Sequence, residues 1–245
     1  ILYVATSAQM QEESSHLFGP MYFSQDERDG REKQGMTVCN HSYISKTETG
    51  EIQNDINVIL STRPYTYYDG LFDELLHNRQ AYEEALLKKA NLTSEIGRQL
   101  VLSADAYVVD RESTQGKSII AGYPFFEDWG RDTMIALAGT TMVTGRLDEC
   151  KSILQTFAEY EHHGLLPNLF PEGDVEPMYN SVDAPLLFIN AVYEYIQTSK
   201  DNAFLPEVWD VLKRIMTAYE KGTDYHIKMD TDCLIQAGAD LEQLT

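Results

Sequence analysis

Between Phe204 and Glu220 the apolar residues Leu205, Val208, Trp209, Leu212, Ile215, Met216 and Tyr219 recur at a spacing of about 3.6. A chain with that period buries it by forming a helix with one apolar stripe. Two earlier segments share the period. Leu147 to His162 carries Cys150, Ile153, Leu154 and Phe157 on one face, and Asp183 to Thr198 carries Leu187, Phe188, Ala191, Val192 and Tyr195. Asp132 to Thr144 is apolar nearly all round, which predicts a buried helix with Gly145 as its C-terminal stop. The four segments predict a mainly α fold whose helices stack as antiparallel hairpins. Their connections are unequal. Gly164 to Asn180 is long and rich in Pro and Gly, and long loops in compact domains are usually functional.

Upstream the pattern changes. Ile1 to Ala5, Met21 to Phe23, Tyr43-Ile44 and Ile56 to Leu60 read as short strands between turn-rich stretches such as Asp26 to Gly30 and Thr47 to Gly50. They are too few for a closed sandwich and read as a β-rich N-terminal tail, the end of a β-rich domain over 1–63. Arg63-Pro64 closes it. A linker helix is predicted within 64–92, with Phe72, Leu75, Leu76, Tyr82 and Leu86 roughly on one side. Ser94 to Asp105 predicts a short helix, and Tyr107 to Val109 with Ser118 to Ala121 predicts a hairpin around Gly116.

Charge narrows the function classes. The chain has 245 residues, 39 acidic against 19 basic, a formal net charge of −20. Nucleic-acid binding needs basic surface, so that class is excluded, and docking on anionic membranes is excluded with it. No apolar run approaches the roughly 18 residues of a membrane span. From Leu147 to Thr245 there are 18 acidic and 6 basic residues. A solvated acidic face is the plainer reading, and a mouth suited to neutral or cationic ligands is the functional one. Cys39, Cys150 and Cys233 are odd in number and far apart, which predicts reduced thiols in a cytoplasmic chain and neither a disulfide frame nor a zinc site. His162-His163, read as the end of a helix, would not share a face, so no metal site is predicted there. Cofactor motifs are lacking: there is no glycine-rich phosphate loop and no Cys-x-x-Cys.

Two stretches concentrate chemistry. In Ala121 to Met134, Pro124, two phenylalanines, Glu127, Asp128, Trp129, Arg131 and Asp132 crowd a hairpin-to-helix junction. Trp offers an apolar face to a sugar ring, while carboxylates and Arg can hydrogen-bond vicinal hydroxyls. A plain helix start, with Asp132 capping and an acid pairing Arg131, explains the same residues equally well. In Pro177 to Pro185, Ser181 can cap a helix with Asp183 in its first turn. A catalytic acid at Asp183 would need burial or a second carboxylate nearby.

The segments AGYPFFEDWGRDTMIALAGTTMVTGR, GLLPNLFPEG and YNSVDAPLLF, followed by LIQAGADLEQLT, resemble in content and order the amylo-α-1,6-glucosidase domain of glycogen debranching enzymes. The likeness runs from about Ser94 to Thr245. It implies an (α/α)6 toroid, of which 93–245 would be the N-terminal half, and an inverting glycosidase that removes the α-1,6-linked glucose at a glycogen branch point. It implies that Asp183 is the general acid. Asp128, Trp129, Arg131, Asp132 and Asn180 would bind substrate, which is glycogen or a branched α-glucan oligosaccharide.

The likeness breaks off at Thr245, where family members continue with further hairpins and a Glu as general base. Asp240 and Glu242 do not match that base, so the expectation is an acid without its base and a chain inactive alone. Helical faces left uncovered predict a homo-oligomer. Competing readings are another six-hairpin glycosidase, acting on trehalose or an oligosaccharide, and a non-catalytic carbohydrate-binding remnant.

Overall fold

A computed structural model of the chain describes residues 3–7, 9–12, 16–28, 30–39, 42–44, 56–123, 126–170 and 176–238. Pro124, Phe125, Asp240 and Glu242 lie outside the described residues. The chain divides into two compact units, Ile1–Ala81 and Tyr82–Thr245.

The first unit contains β1 (Tyr3–Thr6), β2 (Gln9–Glu12), β3 (His16–Tyr22), the short helix α1 (Ser24–Arg28), β4 (Gln34–Cys39), β5 (Ser42–Ile44) and β6 (Val58–Ser61). β3 pairs with β4, β2 with β5 and β1 with β6, all antiparallel, so the pairs nest one inside the next. Val4 stands opposite Leu60, and Leu17 opposite Val38. The apolar runs of the sequence fall in β1, β3, β5 and β6. β2 and β4 lie outside the apolar runs read from sequence: QMQE carries a single apolar residue, and the alternation Met36-Thr37-Val38 in β4 is only three residues long.

Helix α2 (Leu71–Ala90) crosses the division between the units. The second unit continues with α3 (Glu95–Asp105), the hairpin β7 (Val108–Arg111) and β8 (Gly116–Ile119), α4 (Gly130–Leu137), a π-helical turn (Ala138–Met142), α5 (Leu147–Glu159), α6 (Ala184–Ser199), α7 (Phe204–Lys221) and a small pair β9 (Lys228–Met229) with β10 (Ile235–Gln236). Ser94 caps α3, its hydroxyl accepting the Gly97 N–H at 3.0 Å. Among the described residues no helix is long and apolar enough to cross a membrane.

The stripes read from sequence meet in one core. Cys150, Ile153, Leu154 and Phe157 of α5 pack with Phe188, Ala191, Val192 and Tyr195 of α6, and with Val208, Leu212, Ile215 and Tyr219 of α7. Burial pushes the Cys150 thiol up to about 11, so it packs as an apolar group and is a poor nucleophile. On α7 the apolar set is wider than the buried face: Trp209 is 51% exposed and Met216 49%. The predicted Asp132 to Thr144 helix begins two residues earlier and changes pitch. Within its second half, Gly139, Thr140 and Thr141 interrupt good helix formers, and the Thr140 and Thr141 hydroxyls bond the carbonyls of Ala136 and Leu137. Such back-bonding competes with the regular ladder. Val143 N–H then reaches the Ala138 carbonyl five residues back, at 2.9 Å. Gly145 ends the segment with φ +75, and a Cβ there would lie 2.7 Å from the Lys89 carbonyl oxygen.

Arg146, 4% exposed, fastens α3 to α5. Its Nη1 donates to Asp105 Oδ1 at 2.9 Å and its Nε to Glu149 Oε1 at 3.3 Å. Burial works to raise the Glu149 carboxyl, but its own backbone amide and the charges of Lys89 and Arg146 hold it below the ordinary 4.5. A depressed carboxylate stabilises the fold fully above its unfolded value, and that contribution is lost as pH falls below it. Arg146→Ala removes the buried guanidinium partner of Asp105, which keeps the Tyr82 hydroxyl at 2.6 Å, and is expected to cost about 3 kcal/mol, read as a lower urea midpoint of the helical signal. Glu149→Gln is expected to flatten the loss of stability on acidification below 4.5, measured as urea midpoints across an acid pH series.

Candidate functional site

Three short stretches of chain converge beside the N-termini of α4 and α6. Trp129 bridges Leu169 and Leu169 bridges Met178, both antiparallel, so the segment around Asn168–Phe170 is laced between the two motif-bearing stretches. Gly130 N–H donates to the Asn168 carbonyl (2.8 Å), Asn168 N–H to the Met178 carbonyl (2.6 Å), and Met178 N–H to the Leu169 carbonyl (3.0 Å). Asn168 Nδ2 also donates to Asn180 Oδ1 at 3.1 Å, and both side chains are buried. At Gly130 the approach is closer than any side chain allows. A Cβ there would stand 2.0 Å from the Pro167 carbonyl oxygen.

Asp128 lies beneath this lacing, 3% exposed. Its Oδ2 accepts from Arg111 Nε and from the Ser118 hydroxyl, each at 2.7 Å, and its Oδ1 pairs with Arg111 Nη2. Arg111 also donates to the Phe170 carbonyl at 2.5 Å and lies 5.1 Å over the Phe170 ring. Both carboxylate oxygens of Asp128 are therefore occupied by protein groups. Arg111 and Ser118 were missed from the sequence, since only the β7–β8 register, with Arg111 opposite Gly116 and Val109 opposite Ser118, brings them to one place.

Arg131 and Asp183, about fifty positions apart in sequence, meet at the surface. Arg131 Nε stands 2.8 Å from Asp183 Oδ2, with side chains 43% and 33% exposed. The contact is one of charge, for the N–H is not aimed as a hydrogen bond. Asp183 occupies the N-cap position of α6, yet its carboxylate does not cap the helix. Ser181 does part of that work, accepting weakly from Ala184 N–H at 3.4 Å while donating to Asp183 Oδ1 at 3.0 Å. Pro185, inside the first turn, has no N–H to satisfy. The loop before α6 is fixed by the Tyr219 hydroxyl, which donates to the Val182 carbonyl at 2.5 Å. Burial, and then the charge of Asp183, push that phenol well above its ordinary value. Among the described residues the charged group in contact with Asp183 is the Arg131 guanidinium.

Asp132 is exposed in the first turn of α4, where a carboxylate also suits the helix dipole. Trp129 is half-buried in extended backbone just before α4. Tyr123 and Phe126 stand exposed nearby in the chain, and Tyr123 packs against Tyr107 with ring centroids 5.8 Å apart. A carboxylate and a guanidinium in contact at the surface can hydrogen-bond vicinal hydroxyls of a polyhydroxylated ligand. His162 and His163 depart from their sequence reading. The helix ends at Glu159, His163 takes a left-handed backbone with φ 50, and the two rings stack with centroids 4.0 Å apart.

Residues 102–245 match the family described as Amylo-alpha-1,6-glucosidase. Over 132 residues the chain is 33% identical to a protein of Saccharomyces cerevisiae named glycogen debranching enzyme. That match covers 52% of this chain and 8% of the yeast protein's length. The family match includes Asp128, Arg131, Asp132, Asn168, Asn180 and Asp183. The chain therefore belongs to the amylo-alpha-1,6-glucosidase family.

Proposed function

We propose that this chain carries the acid side of a debranching α-1,6-glucosidase: Asp183 as general acid, and the α4 N-terminus as the wall that holds the terminal glucose of a glycogen branch. One observation carries the reading. Arg131 and Asp183 come from separate motifs and separate helices, yet share one accessible surface at 2.8 Å. In the (α/α)6 toroid that the family relation suggests, alternate helices start on the same rim, which would bring two such N-termini together.

In this mechanism Asp183 gives its proton to the glycosidic oxygen as the bond from that oxygen to C1 breaks. Water attacks C1 from the opposite face and yields the inverted sugar. A second carboxylate, about 6.5–9.5 Å from the acid, must take the proton of that water. We assign that base to none of the described residues. Arg131 positions the Asp183 side chain in the free protein and turns its donors to sugar hydroxyls when substrate enters, which frees Asp183 to carry the proton, while Asp132 and Trp129 supply an acceptor and a ring face. Asn180 holds the loop through Asn168, and Asp128 supports the wall from below through Arg111. The uncovered α7 flank, Leu205, Trp209 and Met216, is where self-association would run.

The test is release of glucose from an α-1,6-linked branch stub by a polypeptide containing this chain, with trehalose as the comparison substrate. Asp183→Asn is expected to lower kcat by about 10²–10⁴, and the first glucose released should be the β anomer by NMR. Preference for trehalose would favour the other six-hairpin glycosidases, and glucan binding with no turnover a binding remnant. Asp128→Asn is expected to cost about 3 kcal/mol of stability as well as activity, because it breaks a buried pair. Trp129→Ala should raise KM with a smaller loss of stability. Urea midpoints measured beside the kinetics separate the support from the contact surface.

A further inference from the structure

The turn after α5 is built in a way its function as a connector does not require. His162 and Leu165 exchange backbone hydrogen bonds, each 2.9 Å, and the two residues between them both have positive φ, His163 at 50 and Gly164 at 83. That is the geometry of a two-residue type I′ turn. It is pinned on both sides. Glu161 Oε1 accepts the Gly164 N–H at 2.7 Å, and Gly164 lies so close to α7 that a Cβ would meet the Ala218 Cβ at 2.1 Å. The turn throws both imidazoles to one side, where they stack, with the Tyr179 ring 5.6 Å from His162. Asp224 reaches the same place from the loop after α7, itself closed by hydrogen bonds from Thr223 N–H to the Ile227 carbonyl (2.9 Å) and from His226 N–H to the Thr223 carbonyl (3.2 Å).

Asp224 Oδ2 stands 2.9 Å from His163 Nδ1 and 3.9 Å from His162 Nε2, and the three ligand atoms all lie within 4.8 Å of one another. We propose that His162, His163 and Asp224 form a binding site for a divalent transition-metal ion of the zinc class. Ligand atoms at about 2.0–2.1 Å from a tetrahedral zinc stand about 3.3–3.4 Å apart. The distances of 2.9 and 3.9 Å bracket that spacing and no pair has to move by more than about 1.5 Å, while the exposed rings, stacked at 21° between planes, turn out of parallel so that both in-plane lone pairs face one ion. Two imidazoles and one carboxylate suit zinc, copper or nickel, while calcium and magnesium require more oxygen ligands. Arg214 is engaged with Glu161 and Lys213 with Asp210, so both cations have carboxylate partners other than Asp224. All three ligands are exposed, which lets an ion enter and leaves a fourth position for water. The carboxylate can only accept, so in the metal-free protein Nδ1 of His163 carries the proton. The ion replaces that proton, which passes to solvent or to the other ring nitrogen. Bound there, the ion clamps the turn after α5 to the loop after α7.

The experiment titrates the 245-residue chain with Zn²⁺ by calorimetry, and with Co²⁺ followed by its visible absorption. His163→Asn keeps a residue that tolerates positive φ, and Asp224→Asn keeps the shape of the loop. We expect one zinc per chain and a tetrahedral cobalt spectrum. Each variant should weaken binding by about tenfold or more and abolish the spectrum, since even partners of metal ligands contribute about 10–100-fold. His77→Ala should leave both unchanged, as should replacing zinc by Mg²⁺ leave no heat of binding. Absence of one-to-one binding, binding that stays within about twofold in either variant, or a cobalt spectrum that survives Asp224→Asn would overturn the site. Helical circular dichroism of each variant, expected unchanged for these exposed positions, keeps a folding defect from imitating the loss.

Discussion

The second unit depends on a backbone approach that a methyl group would prevent. At Gly130 the Pro167 carbonyl oxygen sits where a Cβ would be, and the Gly130 N–H is spent on the Asn168 carbonyl. Those contacts let the residues before α4 lie flat against the Asn168–Phe170 segment, which in turn carries Met178 on its other edge. That lacing ties the stretch ending in Asp183 to the stretch holding Arg131, beyond the packing of α4 and α6 in the common core. Buried polar groups in such an array must all find partners. Here Asn168, Asn180, Asp128, Arg111 and Ser118 satisfy one another or the backbone.

Two kinds of charge pair do different work around this array. The Arg111–Asp128 pair is buried and saturated, so it fixes geometry and exchanges nothing with solvent. The Arg131–Asp183 pair is half-exposed, unaligned and bordered by a helix start, so either partner can turn to a ligand at small cost. Helix N-termini add a field that favours the carboxylate side of any sugar–acid contact. The core beneath, from Phe157 through Phe188 to Ile215, carries neither pair but holds the helices whose ends present them.

The helices were legible because apolar period is a local signal. Phe204 to Glu220 could be drawn as a helix from spacing alone, and α7 spans Phe204–Lys221. The short helix drawn from Ser94 to Asp105 is α3, Glu95–Asp105, with Ser94 as its cap. What sequence could not give was partner choice. Asp128 and Arg131 look alike as candidates on paper, but one faces inward because a hairpin register sets Arg111 and Ser118 against it. The histidine rings share one side because the helix ends at Glu159, three residues short of the end its period predicts. The turn at His163 and Gly164 depends on two positive φ values that a His-His-Gly string does not announce. Strands β2 and β4 escaped notice since pairing, not pattern, makes them strands.

The π-helical turn between α4 and α5 sets the angular phase of the site. By taking up one residue more than a regular turn, Ala138–Met142 advances the chain without advancing the helix face by a full residue's rotation. Arg131 lies before it and Arg146 after it, so the two anchors are phased against each other by that single extra residue. Removing one residue there restores a regular helix and turns Arg131 by about 100° relative to the core that Arg146 holds.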